Sequence, residues 1–580
     1  MNSWKQSLAA RWSIFSQRPS LLLLRLFAAR MFKGGGELGA DELDLGVAVV
    51  LIFLAMPGVL VSLLMFEKFG SLIRFLRGDG TFDPFTATIP DEYFFIVLSM
   101  SVSCAVALWR WNAIFLDRRD YANLVPLPIS LKRVFFANLF AIFSLTALLT
   151  LVGNAASFVL FPIAVVGSQE SFSKLFRFAY GHAVSVSLSS VFSFLAIFAL
   201  SGTLMVCLPY RLFRKVSVYV RFAVGLLLLT GLATSVTISS ILSRRAPVNP
   251  LLLGALPPVW FLGLTETLWG RGQDIFFAAM TRRALVSLGL TLLISVVAYA
   301  LSFRRSFVRI PEFADVGPLP RAQRFGLPSK ILDATILRDP KRRACCHFVS
   351  RTLLRSDAHL QIVLAFAALG LVVAAQTVNA AFHPGLSFAT QPPSVELLSI
   401  PFILSYCLLL GIRLAFEVPL DLSANWIFKL WIEPHGELPR QVARRVLLTF
   451  SVGWIASLCL LCSAFLWGWL TALVQTALLI ACSAVFVEVL LVKFRKIPFT
   501  CSYPPFESNS PLYLVAYLFG FVVFAIYIPK IVQWSVITRW GAAVFVPLVL
   551  LSLIGLRQFR KQMLDLDKHL IFEEESASGF

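Results

Sequence analysis

The chain has 580 residues, of which 58% are apolar and only 14% charged, with a mean hydropathy of +0.80. Soluble domains run near 45–50% apolar with about a quarter charged; here the surplus is spread over many runs of roughly 17–25 residues, each able to cross a bilayer, which excludes disorder, a collagen-like fibre and a disulfide scaffold. The formal charge of +20 reads as cytoplasmic loops loaded with Lys and Arg and not as a nucleic-acid surface, because no basic stretch is interleaved with aromatics on a nucleic-acid-binding motif.

In chain order, residues 1–33 are basic and amphipathic. Trp4, Leu8, Trp12 and Phe15 fall at helical spacing among Lys5, Arg11 and Arg18, and Pro19 breaks the pattern before Leu21–Leu24. Such a segment lies along a membrane surface with its tryptophans at headgroup level. A first six-span repeat fills residues 34–301, with spans at Leu45–Phe66, Tyr93–Leu108, Val134–Val152, Val184–Leu208, Val218–Leu242 and Ala284–Leu301. Between its fifth and sixth spans lies NPLLLGALPPVWFLGLTETL, residues 249–268, apolar but interrupted by Pro257 and Pro258. The two prolines remove two amide donors and force an extended step. Two readings fit: a re-entrant hairpin packed against protein, or an interfacial loop anchored by Trp260 and Phe261. Residues 302–359 form a polar, proline-punctuated cytoplasmic linker holding twelve Lys and Arg. The second repeat, residues 360–556, has spans at Leu360–Ala375, Leu397–Leu414, Val446–Leu466, Leu473–Val492, Leu512–Ile528 and Ala542–Leu556; a cytoplasmic tail, 557–580, follows. The expected fold is all-α and polytopic, with about twelve transmembrane helices in two six-helix repeats and both termini cytoplasmic.

With the N-terminus inside, most of the 51 Lys and Arg fall on the inner side. The loop after span 1 carries Asp79, Asp83, Asp91 and Glu92 and is expected to be a solvated outer loop, while Arg244, Arg245, Arg282 and Arg283 dissent by lying on the outer face. The halves correspond in order. Each opens with a basic amphipathic segment, Phe15–Phe32 and Phe348–Leu360, and each has a basic connector after its fourth span, Phe213-Arg214-Lys215 and Phe494-Arg495-Lys496. An even number of spans returns the chain to the same side, as a parallel repeat requires.

Motifs for chemistry are absent. There is no G-x-x-x-x-G-K-[ST], H-E-x-x-H or G-x-S-x-G in the chain. Cys459 and Cys462 form a CxxC on a continuous apolar helix, where packing is the simpler explanation. Cys345-Cys346-His347 offers adjacent thiols that cannot easily meet one ion, so no metal site is expected. Ionisable groups within spans are few. Glu488 lies in span 10 near Lys493, and Arg413 and Glu417 close span 8, all near a cytoplasmic end where ion pairing or snorkelling suffices. Glu488 is the one candidate for a proton relay. So little buried charge favours a translocator driven from outside the membrane.

The loop after span 2, Trp109–Asn138, begins amphipathic, with Ile114 and Phe115 beside Asp117, Arg118, Arg119 and Asp120. It passes Leu124, is stopped by Pro126 and Pro128, and re-enters the membrane at Lys132-Arg133. A short helix on the membrane face, ended by a rigid turn and tied to a span, can transmit force from a cytoplasmic partner; as a plain juxtamembrane loop it would place its arginines near anionic lipid. The run YANLVPLPISLKRVFFANLF resembles the region of type-2 ABC exporter permeases where a coupling helix precedes an L-P-[IL]-[ST] turn and a basic start to the third span. In that family six-span units pair, an amphipathic helix lies at the N-terminus, and re-entrant helices lie between spans 5 and 6. Trp4–Phe15, Trp109–Tyr121 and Asn249–Leu268 are the matching candidates here, and Leu256–Phe261 is similar to the family's outer re-entrant segment. The second half departs from the pattern: Phe416–Arg445 sets Trp426, Phe428, Leu430 and Trp431 against Lys429 and Glu433, Leu438-Pro439-Arg440 substitutes for the turn, and only Pro529–Gly541 joins spans 11 and 12.

The resemblance implies a permease subunit of an ATP-driven exporter in a bacterial cytoplasmic (inner) membrane, not itself an enzyme and with no cofactor in this chain. It implies two cytoplasmic ABC ATPase subunits, carrying ATP-Mg, that dock on Asp117, Arg118, Arg119, Asp120, Leu124, Pro126 and Pro128 in one half and on Trp426, Phe428, Lys429 and Arg440 in the other. Two other readings stand beside it: an ion-coupled secondary transporter resting on Glu488, and a membrane-embedded lipid-linked transferase resting on the acidic outer loop.

Overall fold

The computed structural model describes residues 84–109, 111, 126–166, 172–243, 253–271, 275–309, 339–382, 393–420, 437–492, 496–500, 510–538 and 551–556, together with residues 22, 23, 26, 27, 58, 59, 62, 63, 428, 430, 494, 547 and 558. Every regular element among them is helical, and ten helices are long and apolar enough to cross a membrane. The chain is a polytopic helical membrane protein. The ten correspond one to one with the second to eleventh spans read from the sequence; the first lies almost wholly outside the described residues, and of the twelfth only residues 547 and 551–556 are described. In an apolar medium a backbone without water must bond to itself, and a helix does so within one segment.

The chain divides into two compact units, residues 1–217 with 227–319, and residues 218–226 with 320–580. The first contains α1 (Pro84–Trp109), α2 (Leu131–Val166), α3 (Phe172–Cys207), most of α4 (Tyr210–Ser243), α5 (Pro257–Glu266) and α6 (Ile275–Arg309). Its core is Phe95, Ile96, Phe161, Phe178, Val186, Val259, Phe261 and Leu262 with their neighbours. The second contains α7 (Pro340–Arg355), α8 (Asp357–Phe382), α9 (Val395–Ala415), α10 (Leu438–Leu447), α11 (Gly453–Trp467), α12 (Trp469–Leu490), α13 (Ser510–Val522) and α14 (Ile528–Thr538). Its core runs through Leu398, Phe402, Leu409, Ile412, Val442, Leu447, Leu479, Val487 and Phe499.

Several boundaries differ from the sequence reading, each for a local reason. α1 begins at Pro84, so Asp91 and Glu92 are buried helical residues and do not solvate a loop. α2 runs on to Val166 because the polar residues that would have ended it bond to their own helix: Asn154 donates to Thr150 O at 2.8 Å and Ser157 to Asn154 O at 2.9 Å. The linker 302–359 is helical at both ends, α6 reaching Arg309 and α7 starting at Pro340 under an Asp339 cap. Leu438-Pro439-Arg440 is the first turn of α10, where proline's missing amide costs nothing, and α10 continues through a π turn, Leu448–Val452, into α11. A second π turn, Val523–Tyr527, precedes Pro529 and carries the eleventh span to Thr538 through the expected connector.

Glycines set the closest helix approaches in the first unit. A Cβ on Gly263 would lie 2.5 Å from Met280 Cβ and 2.8 Å from Phe277 O, so α5 can fold against α6 only with hydrogen at that position. Gly270, at φ 115°, makes the reversal between them. Gly263→Ala is expected to destabilise the purified protein by about 1–3 kcal/mol through overpacking. Gly225→Ala, where nothing lies within 4 Å, should be neutral or slightly stabilising. Thermal unfolding of the two variants side by side checks the difference.

Candidate functional site

Among the described residues, the largest assembly of charged groups lies in the second unit, where helix ends meet. Arg413 sits in the last turn of α9, the negative end of a helix and a favourable place for a cation. Its Nε donates to Leu490 O at the end of α12, 3.1 Å away; its Nη1 pairs with Glu417; its guanidinium lies 4.9 Å over the Phe494 ring. Glu417 also receives Lys496. Glu488, in the last turn of α12, pairs with Arg440 from the first turn of α10 and with Arg444 at 3.2 Å. A carboxylate at a helix C-terminus opposes the local dipole, so two cations are what make it tolerable there.

His359, near the start of α8, completes this layer. Its Nε2 lies 2.9 Å from Val418 O and its Nδ1 2.6 Å from Ser356 Oγ. A carbonyl can only accept, so Nε2 carries the proton and Nδ1 accepts from the serine hydroxyl. The Phe499 ring stands edge-on to the imidazole at 4.4 Å, on a backbone with φ 72° that a phenylalanine rarely adopts. Phe499 N donates to Phe416 O at 3.3 Å, and Leu420 N donates to Phe499 O at 3.0 Å. The ends of α9 and α12, the starts of α8 and α10, and the segments 416–420 and 494–500 are thereby joined through two carboxylates, four cations and one histidine. Chemically this arrangement holds charge in place.

The first unit is built differently. α5 starts with Pro257 and Pro258 in its first turn, and Phe261 is fully buried against Phe192, with ring centroids 5.5 Å apart. Trp260 Nε1 donates to Gly254 O at 2.7 Å, and Arg283 Nη1 donates to the same carbonyl at 2.8 Å. Thr267 and Thr281 hydroxyls meet at 2.8 Å, and Arg177 Nε reaches Leu268 O at 3.0 Å. Arg283, anomalous by charge position alone, thus ties the segment ahead of α5 to α6, the helix on which α5 packs. Where α1, α2 and α3 pack together, hydroxyls face one another: Ser103 with Ser190, Thr150 with Ser190 at 3.2 Å, and Ser157 with His182 at 3.4 Å. The His182 ring stands among Phe95, Phe161 and Phe178.

The residues singled out from sequence fall as follows. Asp117, Arg118, Arg119, Asp120, Leu124, Trp426 and Lys429 lie outside the described residues. Pro126 and Pro128 are exposed in a turn that feeds α2, with Ile129 N bonded to Leu127 O at 2.7 Å. Phe428 lies 5.1 Å from the Phe348 ring of α7. Arg440 is buried beside Glu488. Glu488, noted in the sequence near Lys493, which lies outside the described residues, pairs with arginines 44 and 48 residues away in the chain. Buried Glu266, in α5, was not singled out; its position two residues before Leu268 in an otherwise apolar run was the available signal. Among the described residues no cluster of His, Cys, Asp and Glu could hold a metal ion. Burial, with Asp339 nearby, raises the Cys345 thiol above its usual range, which leaves it a poor thiolate source.

No family model, curated protein or solved structure matches the chain.

Glu488→Gln strands two guanidinium groups, one of them buried, and is expected to cost about 3–5 kcal/mol. Removing Arg440 as well, as Arg440→Gln with Glu488→Gln, should restore most of that loss, because Arg444 is exposed enough to reach solvent. A double-mutant cycle read by chemical denaturation measures the coupling.

Proposed function

We propose that the chain is the membrane subunit of an ATP-driven exporter in a bacterial cytoplasmic membrane, built from two six-helix repeats and worked by two separate cytoplasmic ATPases. The observation that carries this reading is the short buried helix Pro257–Glu266 ahead of α6, lying where the resemblance to type-2 permeases leads one to expect a re-entrant segment between spans 5 and 6. The turn through Pro126 and Pro128 that leads straight into α2 supports it: force delivered to this turn would enter the third span directly. Closure of the ATPases on nucleotide would push this loop and its counterpart at 421–436, and would shift the helices only as far as the contacts differ between the two ATPase states.

The repeat is supported by packing that recurs in each unit. In the first, α1, α2 and α3 pack on one another, and Leu23 and Phe27 from the N-terminal segment pack on Val134, Ala137 and Ala141 at the start of α2. In the second, α9, the α10–α11 helix and α12 pack on one another, and α7 packs on the start of α10. Glu488, held by two arginines, is placed as a counter-ion, which weakens a carrier resting on it. One observation favours the ion-coupled alternative: Asp91, Glu92 and Glu266 are carboxylates buried in the first unit.

Replacing Arg118, Arg119 and Asp120 together by Ala is expected to leave membrane insertion unchanged and to reduce copurifying ATPase at least about tenfold, since docking energy concentrates in a few anchors. Affinity purification from membranes followed by mass spectrometry and an ATP-hydrolysis assay reads both quantities. Full retention of a hydrolase in the triple variant, or no hydrolase with the unaltered chain, would count against the proposal.

A further inference from the structure

We infer that the exposed face of α7 is a docking surface for acidic phospholipid headgroups, in the leaflet level with the charged layer of the second unit. The level of α7 follows from its neighbours. His359, near the start of α8, bonds to Val418 O just beyond α9. Arg413, in the last turn of α9, bonds to Leu490 O at the end of α12, and Glu488, in the last turn of α12, pairs with Arg440 in the first turn of α10. α8, α9, α12 and the continuous α10–α11 helix are each long and apolar enough to cross a membrane. Their ends meet in one layer, and charged groups gather where a span leaves the apolar core. This layer marks a membrane boundary.

α7 lies along that boundary. Five cations in sixteen residues keep it from spanning, and Ser356, with extended backbone at ψ 120°, ends it before the chain turns into α8. Its buried side, Cys346, Val349, Thr352 and Leu353, packs toward the start of α10. At about 100° per residue, Arg351 and Arg355 stand opposite that side, with Lys341 on the same outer half. All three are exposed, and among the described residues none is paired with a carboxylate. Asp339, the acid at the start of the helix, is taken by Arg342 at 3.2 Å. The two edges of the exposed face differ. Phe348, at one edge, is met by Phe428 with ring centroids 5.1 Å apart, so protein covers that side. Leu354, at the other edge, is 43% exposed beside the two arginines, one turn before α8 enters the apolar core. There a leucine can reach acyl chains while the arginines, on apolar stems, hold their guanidinium groups among headgroups. Unpaired cations at headgroup level attract anionic lipid, each by about fivefold. Such a contact operates independently of any transport and gives leaflet composition a hold on α7, and through it on the start of α10.

The test uses the purified full-length chain in bilayer discs of phosphatidylcholine, with and without phosphatidylglycerol, and reads amide hydrogen exchange by mass spectrometry in peptides covering α7. Phosphatidylglycerol should slow exchange across α7 about fivefold or more, high salt should reverse the slowing, and peptides from α12 should not change. Lys341→Gln with Arg351→Gln and Arg355→Gln should abolish the lipid-dependent slowing, whereas Arg351→Lys with Arg355→Lys, which keeps the charge, should retain it. The substituted side chains are exposed, so thermal unfolding of both variants in neutral detergent should match that of the unaltered chain. Equal exchange of α7 in the two bilayers, or a full phosphatidylglycerol effect in the triple glutamine variant, overturns the inference. Protection of α7 that appears only when a soluble cell extract is added, in either bilayer, would place a protein on this face and overturns it as well.

Discussion

A charge carried into the apolar interior of a helix bundle must bring its counter-charge with it, and this requirement shapes the second unit. Arg413, Glu417, Arg440, Glu488 and Lys496 come from two helix ends, one helix start and two connecting segments, and each is buried only because another of them is. The desolvation cost of such groups makes the layer weak as a source of stability. It is effective as a register: sliding α10 or α12 by a single turn would strand Glu488. The loop 421–436 springs from this layer at both ends, from Leu420, bonded to Phe499 O, and from Arg440, bonded to Glu488. A load on that loop would thus be shared by α9, α10 and α12.

The first unit joins its helices mainly through neutral groups, although Asp91, Glu92 and Glu266 are buried there too. Its helices approach through glycine and are joined by hydroxyls, as where Gly202 leaves room for Ala298 and Ser302 donates to Gly202 O at 3.0 Å, or where Ser295 donates to Leu195 O at 3.0 Å. Asn138 and the Tyr299 hydroxyl meet at 2.7 Å in the same way. Such bonds carry no net charge and are each worth little, so helices joined by them can shift at lower cost than helices pinned by ion pairs. On this view the two units differ in what they contribute: a hydroxyl-lined bundle able to repack, and a charged layer that fixes the helix ends around a loop.

Hydropathy alone located ten helices, because the need to satisfy a backbone in lipid acts on each segment separately. It also put Arg413 and Glu417 at the close of the eighth span, where ion pairing or snorkelling would suffice. What it missed depends on relations between segments. Arg440 and Arg444, which pair with Glu488, lie on a helix that begins fifty residues earlier. Asp91 and Glu92 were read as solvated because a window average cannot see that Pro84 starts a helix in which Thr88, Asp91 and Glu92 are covered by neighbours. The prolines illustrate the same limit from the other side. Pro257, Pro258 and Pro439 occupy first turns and Pro529 follows a π turn, so residues taken as interruptions are helix starts or are absorbed by a local change of winding.

On the proposed reading, the charged groups of this chain hold its helices in register and the work of transport would arrive from outside it. Gradient decay in vesicles tests this most directly. The purified chain, reconstituted without any ATPase and given an imposed pH or sodium gradient, should leave that gradient to decay at the rate of empty vesicles, with or without an extract of its native membranes. Decay accelerated by the chain and abolished by Glu266→Gln would contradict the account and place the driving ion inside the first unit.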